Sequence, residues 1–244
     1  MSDPKLPTFR SDSASHVRPR SESAEVAAFL SQARAAISSG GGGSGRLILS
    51  LDATMSRQPT WDLACKLQAE MFDAVGQTGR LAVQLVYFRG LGECRASPFV
   101  RDTSSLKNLM SRIDCRAGTT QIGKVLSHAV KETGREKVSA LVYIGDAMEE
   151  GIDQLAAKAG DLGLRGVPAF IFQEGRDPAA EAAFREIARL TRGAWFRFDR
   201  NSAETLAKLL SSIAVFATGG MKALEARGRP EDKLMIEHMR GGSR

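Results

Sequence analysis

The stretch that decides the fold is Arg46-Leu47-Ile48-Leu49-Ser50-Leu51-Asp52-Ala53-Thr54-Met55-Ser56. Its first six residues make a short, almost continuous apolar run, the pattern of a strand covered on both faces. Three oxygen-bearing side chains, Asp52, Thr54 and Ser56, then follow at i, i+2 and i+4, where the strand gives way to the next element. Oxygen donors with no His or Cys among them suit a hard cation, Mg²⁺ or Mn²⁺, better than zinc or copper.

Two later segments supply matching chemistry. Asp146 follows the apolar run Val138-Ser139-Ala140-Leu141-Val142-Tyr143-Ile144-Gly145, a second strand that ends on a carboxylate. Gly118-Thr119-Thr120-Gln121-Ile122-Gly123 offers two hydroxyls in a loop ahead of a helical pattern. Parallel neighbours in an open α/β sheet share their carboxyl edge, and ligands bind in the crevice there. On that placement three distant segments converge.

The surrounding chain alternates strand and helix. Strands are predicted over 46–51, 81–88, 93–97, 138–144, 167–172 and 194–198, and helices over 60–75, 104–113, 122–133, 152–162, 179–191 and 202–216. Gly90-Leu91-Gly92 is too brief for a parallel crossover, so the strand after it is an antiparallel edge strand. The fold class is therefore α/β: a doubly wound, mostly parallel six-stranded sheet with one short antiparallel edge strand and helices on both faces.

Outside this core the expectations differ. Residues 1–23, rich in Ser, Pro and Arg, read as a disordered tail. Residues 24–45 read as a short amphipathic helix, with Val26, Phe29, Leu30, Ala33 and Ile37 at helical spacing, and a glycine-rich linker. That linker precedes the first strand, whereas a phosphate-cradling glycine loop follows one. The main domain covers 46–218, and 219–244 reads as a polar C-terminal tail with Met235 and Met239 as weak amphipathic remnants.

Composition narrows the function. The 244 residues are 43% hydrophobic and 25% charged, enough apolar content for one sizeable core. The net charge of +6 is spread along the chain without basic-aromatic clusters, which points to a solvated surface rather than a nucleic-acid face. Cys65, Cys94 and Cys115 form no CxxC and no Cys/His pair, as reduced thiols in a cytoplasmic protein would. No apolar run approaches the roughly 18 residues needed to cross a bilayer, and no secretory leader is recognisable.

Strand, Asp-x-Thr-x-Ser, Gly-Thr-Thr loop and strand-Asp, in that order within a six-strand α/β chain with an early hairpin, resemble the von Willebrand factor A domain. The resemblance implies a metal-ion-dependent adhesion site for Mg²⁺ or Mn²⁺ formed by Asp52, Thr54, Ser56, Thr120 and Asp146, with Thr119 the alternative to Thr120. Thr120 is preferred because the family loop often reads Gly-x-Thr-x-Ile-Gly. Thr54 stands where serine is usual, Ala53 where glycine is frequent and Ala147 where glycine is common; each change keeps the oxygen ligands. The resemblance further implies a non-enzymatic module whose metal is completed by an Asp or Glu of a partner protein, often beside ATPases or chelatases.

Two other readings are open. A strand ending in Asp also begins the haloacid-dehalogenase phosphatases, and Gly145-Asp146-Ala147-Met148-Glu149-Glu150 resembles their Gly-Asp-x-x-x-Asp metal motif, which would make Asp52 a nucleophile. Those enzymes want a second aspartate two positions later as acid/base, and Thr54 stands there. A third reading keeps the fold as a metal-free scaffold. Glu149 and Glu150 are expected to serve the dipole of the helix they begin, and His128, Trp61 and Trp195 to pack.

Overall fold

In the computed structural model, which describes residues 45–57, 81–199 and 203–241, the apolar runs become six strands of one sheet: β1 (Gly45–Asp52), β2 (Leu81–Arg89), β3 (Glu93–Val100), β4 (Ala140–Gly145), β5 (Ala169–Glu174) and β6 (Ala194–Phe198). Their order is β3-β2-β1-β4-β5-β6, with β3 antiparallel to β2 and every other pair parallel. The helices are α1 (Thr103–Met110), α2 (Ile122–Arg135), α3 (Ile152–Leu164), α4 (Pro178–Thr191), α5 (Ala203–Arg227) and α6 (Pro230–Gly241). The expected tail over 1–23, the helix of segment 24–45, the helix over 60–75, Trp61 and Cys65 lie outside the described residues.

Burial explains why the strands read as they do. All eight residues of β1 and all six of β4 are buried, because helices cover both faces of the sheet. On one face Ile48, Phe88, Tyr143 and Ile171 meet α2, α3 and α4 through Val125, Leu155 and Phe184. The Tyr143 ring lies between Phe88 (6.3 Å) and Phe184 (5.4 Å). On the other face the Phe170 ring meets Phe216 of α5 edge-on at 5.7 Å.

The antiparallel edge contains a bulge. Opposite Leu85, β3 carries Ser97 and Pro98, so the ladder shifts register there. Proline has no N–H to give and is confined to edges and bulges. Ser97 compensates: its hydroxyl accepts the Leu85 N–H at 3.0 Å, and its carbonyl accepts from Gln84 Nε2 at 2.9 Å. The same Gln84 amide receives His128 Nε2 at 2.8 Å, so His128 is a packed, half-buried side chain whose burial lowers its affinity for a proton.

The C-terminal region departs from the expected polar tail. α5 runs past Phe216, breaks at Gly220, where φ is 68°, and continues to Arg227; α6 follows. Leu224, Asp232, Met235 and Ile236 are buried. A polar sequence folds here because its charges pair internally. Arg227 Nε donates to Asp232 Oδ2 at 2.8 Å, Ser212 donates to Asp232 Oδ1 at 2.7 Å, and the Arg229 N–H donates at 3.1 Å. His238 reaches the Trp195 carbonyl at 3.1 Å and its ring packs 4.6 Å from that of Phe196, so α6 leans on edge strand β6.

Burial alone would raise the Asp232 carboxyl, but Arg227, Ser212 and the Arg229 amide outweigh it and hold the group below the ordinary carboxylate range. The folded state then stays ionised where the unfolded chain takes up a proton. The stabilisation is complete above the unfolded value of about 3.9 and is lost as pH falls through the lower folded value. Asp232→Ala strands Arg227 and is expected to cost about 3–5 kcal/mol, read from urea denaturation near neutral pH, with the difference from wild type shrinking at acid pH. An unchanged midpoint would show that the pair does not hold α6.

Candidate metal centre

The site is built where the strand order turns. β1 lies between β2 and β4, so the loops after β1 and β4 diverge at the carboxyl edge. Leu51 pairs with Ile144; one residue on, Asp52 ends β1 level with Gly145, and Asp146 follows directly. Strand pairing alone brings two aspartates 94 positions apart in sequence to the same edge of the sheet.

The loop after β1 is shaped by its own side chains. Asp52 is fully buried, and its Oδ1 accepts the Thr54 N–H at 2.8 Å, bending the chain into the 3₁₀ turn Met55–Arg57. Backbone bonds Ala53 N–H to Phe88 O (2.9 Å) and Arg116 N–H to Ala53 O (3.0 Å) fix the loop between its neighbours. The Thr54 and Ser56 hydroxyl oxygens consequently lie 3.1 Å apart, the first buried and the second exposed.

The threonine loop is clasped on both sides. At Gly118 the backbone approaches Gly90 so closely that an added Cβ would sit 2.1 Å from the Gly90 carbonyl oxygen, and that carbonyl accepts the Thr119 N–H at 3.2 Å. Gly90 itself turns the chain at φ 62°. Arg89, at the end of β2, reaches the Asp114 carbonyl (2.8 Å) and Glu93 (3.0 Å), tying this flank to the hairpin. Buried Gln121 points its amide at the carbonyls of Arg89, Gly90 and Glu93. Thr119 is exposed and Thr120 is buried, with the Thr120 hydroxyl accepting the Glu149 N–H at 3.0 Å.

Glu149 and Glu150 act on a different helix from the one expected. Rather than serving the start of α3, they reach across to α2. Glu149 Oε2 accepts the Thr120 N–H at 2.9 Å; Glu150 accepts the Ile122 N–H at 2.5 Å and the Gly123 N–H at 2.9 Å. Glu150 satisfies two amides that α2 leaves open at its start, and Glu149 the amide of Thr120 in the loop before it. With both oxygens so engaged, Glu150 is turned away from the Gly-Asp-x-x-x-Asp arrangement of a phosphatase. Glu149 and Glu150 are visible in the sequence as acids beside Asp146, but their partners at Thr120, Ile122 and Gly123 are set by the fold.

The donor set fits a hard cation. Asp146 Oδ1 is buried and has no hydrogen-bond partner among the described residues, an expensive arrangement for a carboxylate that a cation would relieve. Among the described residues no group of three or more His, Cys, Asp or Glu gathers as a metal cage, so a cation at this edge would have to draw on hydroxyls as well. Such a donor set would suit a hard cation such as Mg²⁺ or Mn²⁺. Elsewhere, Cys94 and Cys115 form no disulfide among the described residues, and burial pushes the Cys94 thiol up to about 11.

An open α/β sheet with β3 antiparallel at one edge and every other pair parallel defines a class, and solved structures give it a name. Structures with the same architecture include a von Willebrand factor type A protein from Catenulispora acidiphila (17% identity, TM-score 0.59, covering 72% of this chain and 43% of that one) and the SpRpn10 VWA domain (11% identity, TM-score 0.56, 68% and 94%). A third is proximal thread matrix protein 1 from the mussel byssus, with a zinc-occupied MIDAS motif (17% identity, TM-score 0.56, 71% and 45%). This chain thus spans less than half the length of the first and third. It has the von Willebrand factor type A fold. No family model and no curated protein matches it.

Gly118→Ala is expected to push the threonine loop off the hairpin turn, because the clash is backbone against backbone. The cost should be about 1–3 kcal/mol, measured by chemical denaturation. A variant as stable as wild type would mean the loop accommodates a side chain and is not fixed by this approach.

Proposed function

We propose that the protein is a non-enzymatic, divalent-cation-dependent protein-interaction module. Its metal would be held by Thr54, Ser56 and Asp146, with Asp52 and Thr120 contributing directly or through water. The observation that carries the reading is the buried, unpartnered Asp146 Oδ1 one residue beyond the end of β4, at the edge where Asp52 presents the Thr54 and Ser56 hydroxyls. A Mg²⁺ or Mn²⁺ ion at these residues supplies attraction for one further anionic ligand.

The chain's own contribution is positioning. Asp52 bends the loop that presents the two hydroxyls, the clasped threonine loop fixes Thr120, and parallel pairing with β1 sets Asp146. Exposed Ser56 opens this edge to a partner, and an Asp or Glu of a second protein has the complementary charge. The acid/base position that a phosphatase would need two residues after Asp52 holds Thr54. An ATPase-associated assembly and a cytoplasmic setting are the partner class and compartment we propose. No helix among the described residues is long and apolar enough to cross a membrane.

Isothermal titration of Mg²⁺ and Mn²⁺ into chelator-stripped protein tests the proposal. Wild type should bind saturably, and Asp146→Ala, checked for retained fold by circular dichroism, should lose most of that affinity. Equal binding by both would remove Asp146 from the site and overturn the reading.

A further inference from the structure

A cavity of about 530 Å³ between α4, β6 and α6 is lined by Arg185, Arg189, Trp195 and His238, but Arg185 and Arg189 are already paired with Glu181 and Glu186, and Arg185 covers the Trp195 ring. The exposed apolar side chains Met55, Leu91 and Ile152 lie in the 3₁₀ turn after β1, the β2–β3 turn and the first turn of α3, and nothing in the structure shows what covers them. The strongest feature is the pair of acidic residues that binds the Asp146 loop to the threonine loop.

Resting on the metal reading above, we infer that Glu149 and Glu150 are positioning residues that lock the Thr120 half and the Asp146 half of the site into one unit and thereby set its metal affinity. Thr120 and Glu149 exchange hydrogen bonds in both directions: the Thr120 N–H donates to Glu149 Oε2 at 2.9 Å, and the Glu149 N–H donates to Thr120 Oγ1 at 3.0 Å. This is the reciprocity of a helix capping box, here between loops 29 residues apart in sequence. The Glu149 N–H thereby holds the Thr120 hydroxyl oxygen in place against the Asp146 loop. Three residues before Glu149 stands Asp146, so any shift of one oxygen is transmitted to the other.

Glu150 anchors the unit to the scaffold. Its carboxylate spans the Ile122 and Gly123 amides at the start of α2, and Lys158 of α3 reaches the Gly123 carbonyl at 3.2 Å and Ser127 Oγ at 3.0 Å. An added Cβ at Gly123 would lie 2.9 Å from Glu150 Oε2 and would push that carboxylate aside. Residues that orient metal ligands without touching the metal typically change its affinity by roughly 10–100-fold when removed.

The test compares Mg²⁺ affinity, by isothermal titration, with melting temperature in chelator for wild type, Glu149→Ala, Glu149→Gln and Glu150→Ala. Glu149→Ala and Glu150→Ala should bind Mg²⁺ at least tenfold more weakly, whereas Glu149→Gln, which keeps an oxygen acceptor for the Thr120 amide, should stay near wild type. If both alanine variants melt lower in chelator yet bind Mg²⁺ as wild type does, the residues are merely structural and the inference fails. If Glu149→Gln loses as much affinity as Glu149→Ala, the carboxylate acts through charge, and positioning by hydrogen bond is overturned. A wild type that binds no Mg²⁺ overturns the metal reading itself, an outcome distinct from a wild type that binds and variants that do not change.

Discussion

Parallel pairing of β1 with β4 is the constraint on which the rest depends. The two strands are buried along their whole length, so a slip of one residue would turn every side chain to the opposite face. Their register is therefore fixed by packing, and with it the positions of Asp52 and Asp146. A rigid sheet places the carboxylates; the flanking loops have only to supply hydroxyls.

Those loops are held by hydrogen bonds and by glycine. The Asp52 carboxylate orders the first loop, and the close approach of Gly118 to Gly90 docks the second against the β2–β3 turn. Glu149 and Glu150 tie the third to the start of α2. Each carboxylate compensates backbone amides that would otherwise lie partly buried and unsatisfied. The crevice is thus framed by polar contacts, while the strength of the fold comes from the apolar layers on both faces of the sheet.

Much of this was legible in the sequence for a physical reason. Doubly covered strands have to be apolar throughout, so β1, β2, β4 and β5 stand out as runs, and Gly90-Leu91-Gly92 marks the hairpin before β3. The two aspartates were visible because each directly follows such a run. Glu149 and Glu150 were visible as acids, but the helix they serve is α2, brought near only by the fold. The helix pair after Gly220 was hidden because its stability rests on an ion pair between Arg227 and Asp232 and on a few buried side chains, Leu224 and Met235 among them. A polar, mixed-charge sequence gives no periodicity from which to read such a pairing.

We propose that one divalent cation belongs at the carboxyl edge between β1 and β4. A crystal grown with Mn²⁺ and measured at a wavelength where manganese scatters anomalously tests it most directly. The account predicts one dominant anomalous peak in contact with Asp146 and with the hydroxyls of Thr54 and Ser56. A fully formed but empty crevice at saturating Mn²⁺, or a dominant peak on carboxylates elsewhere, would contradict it.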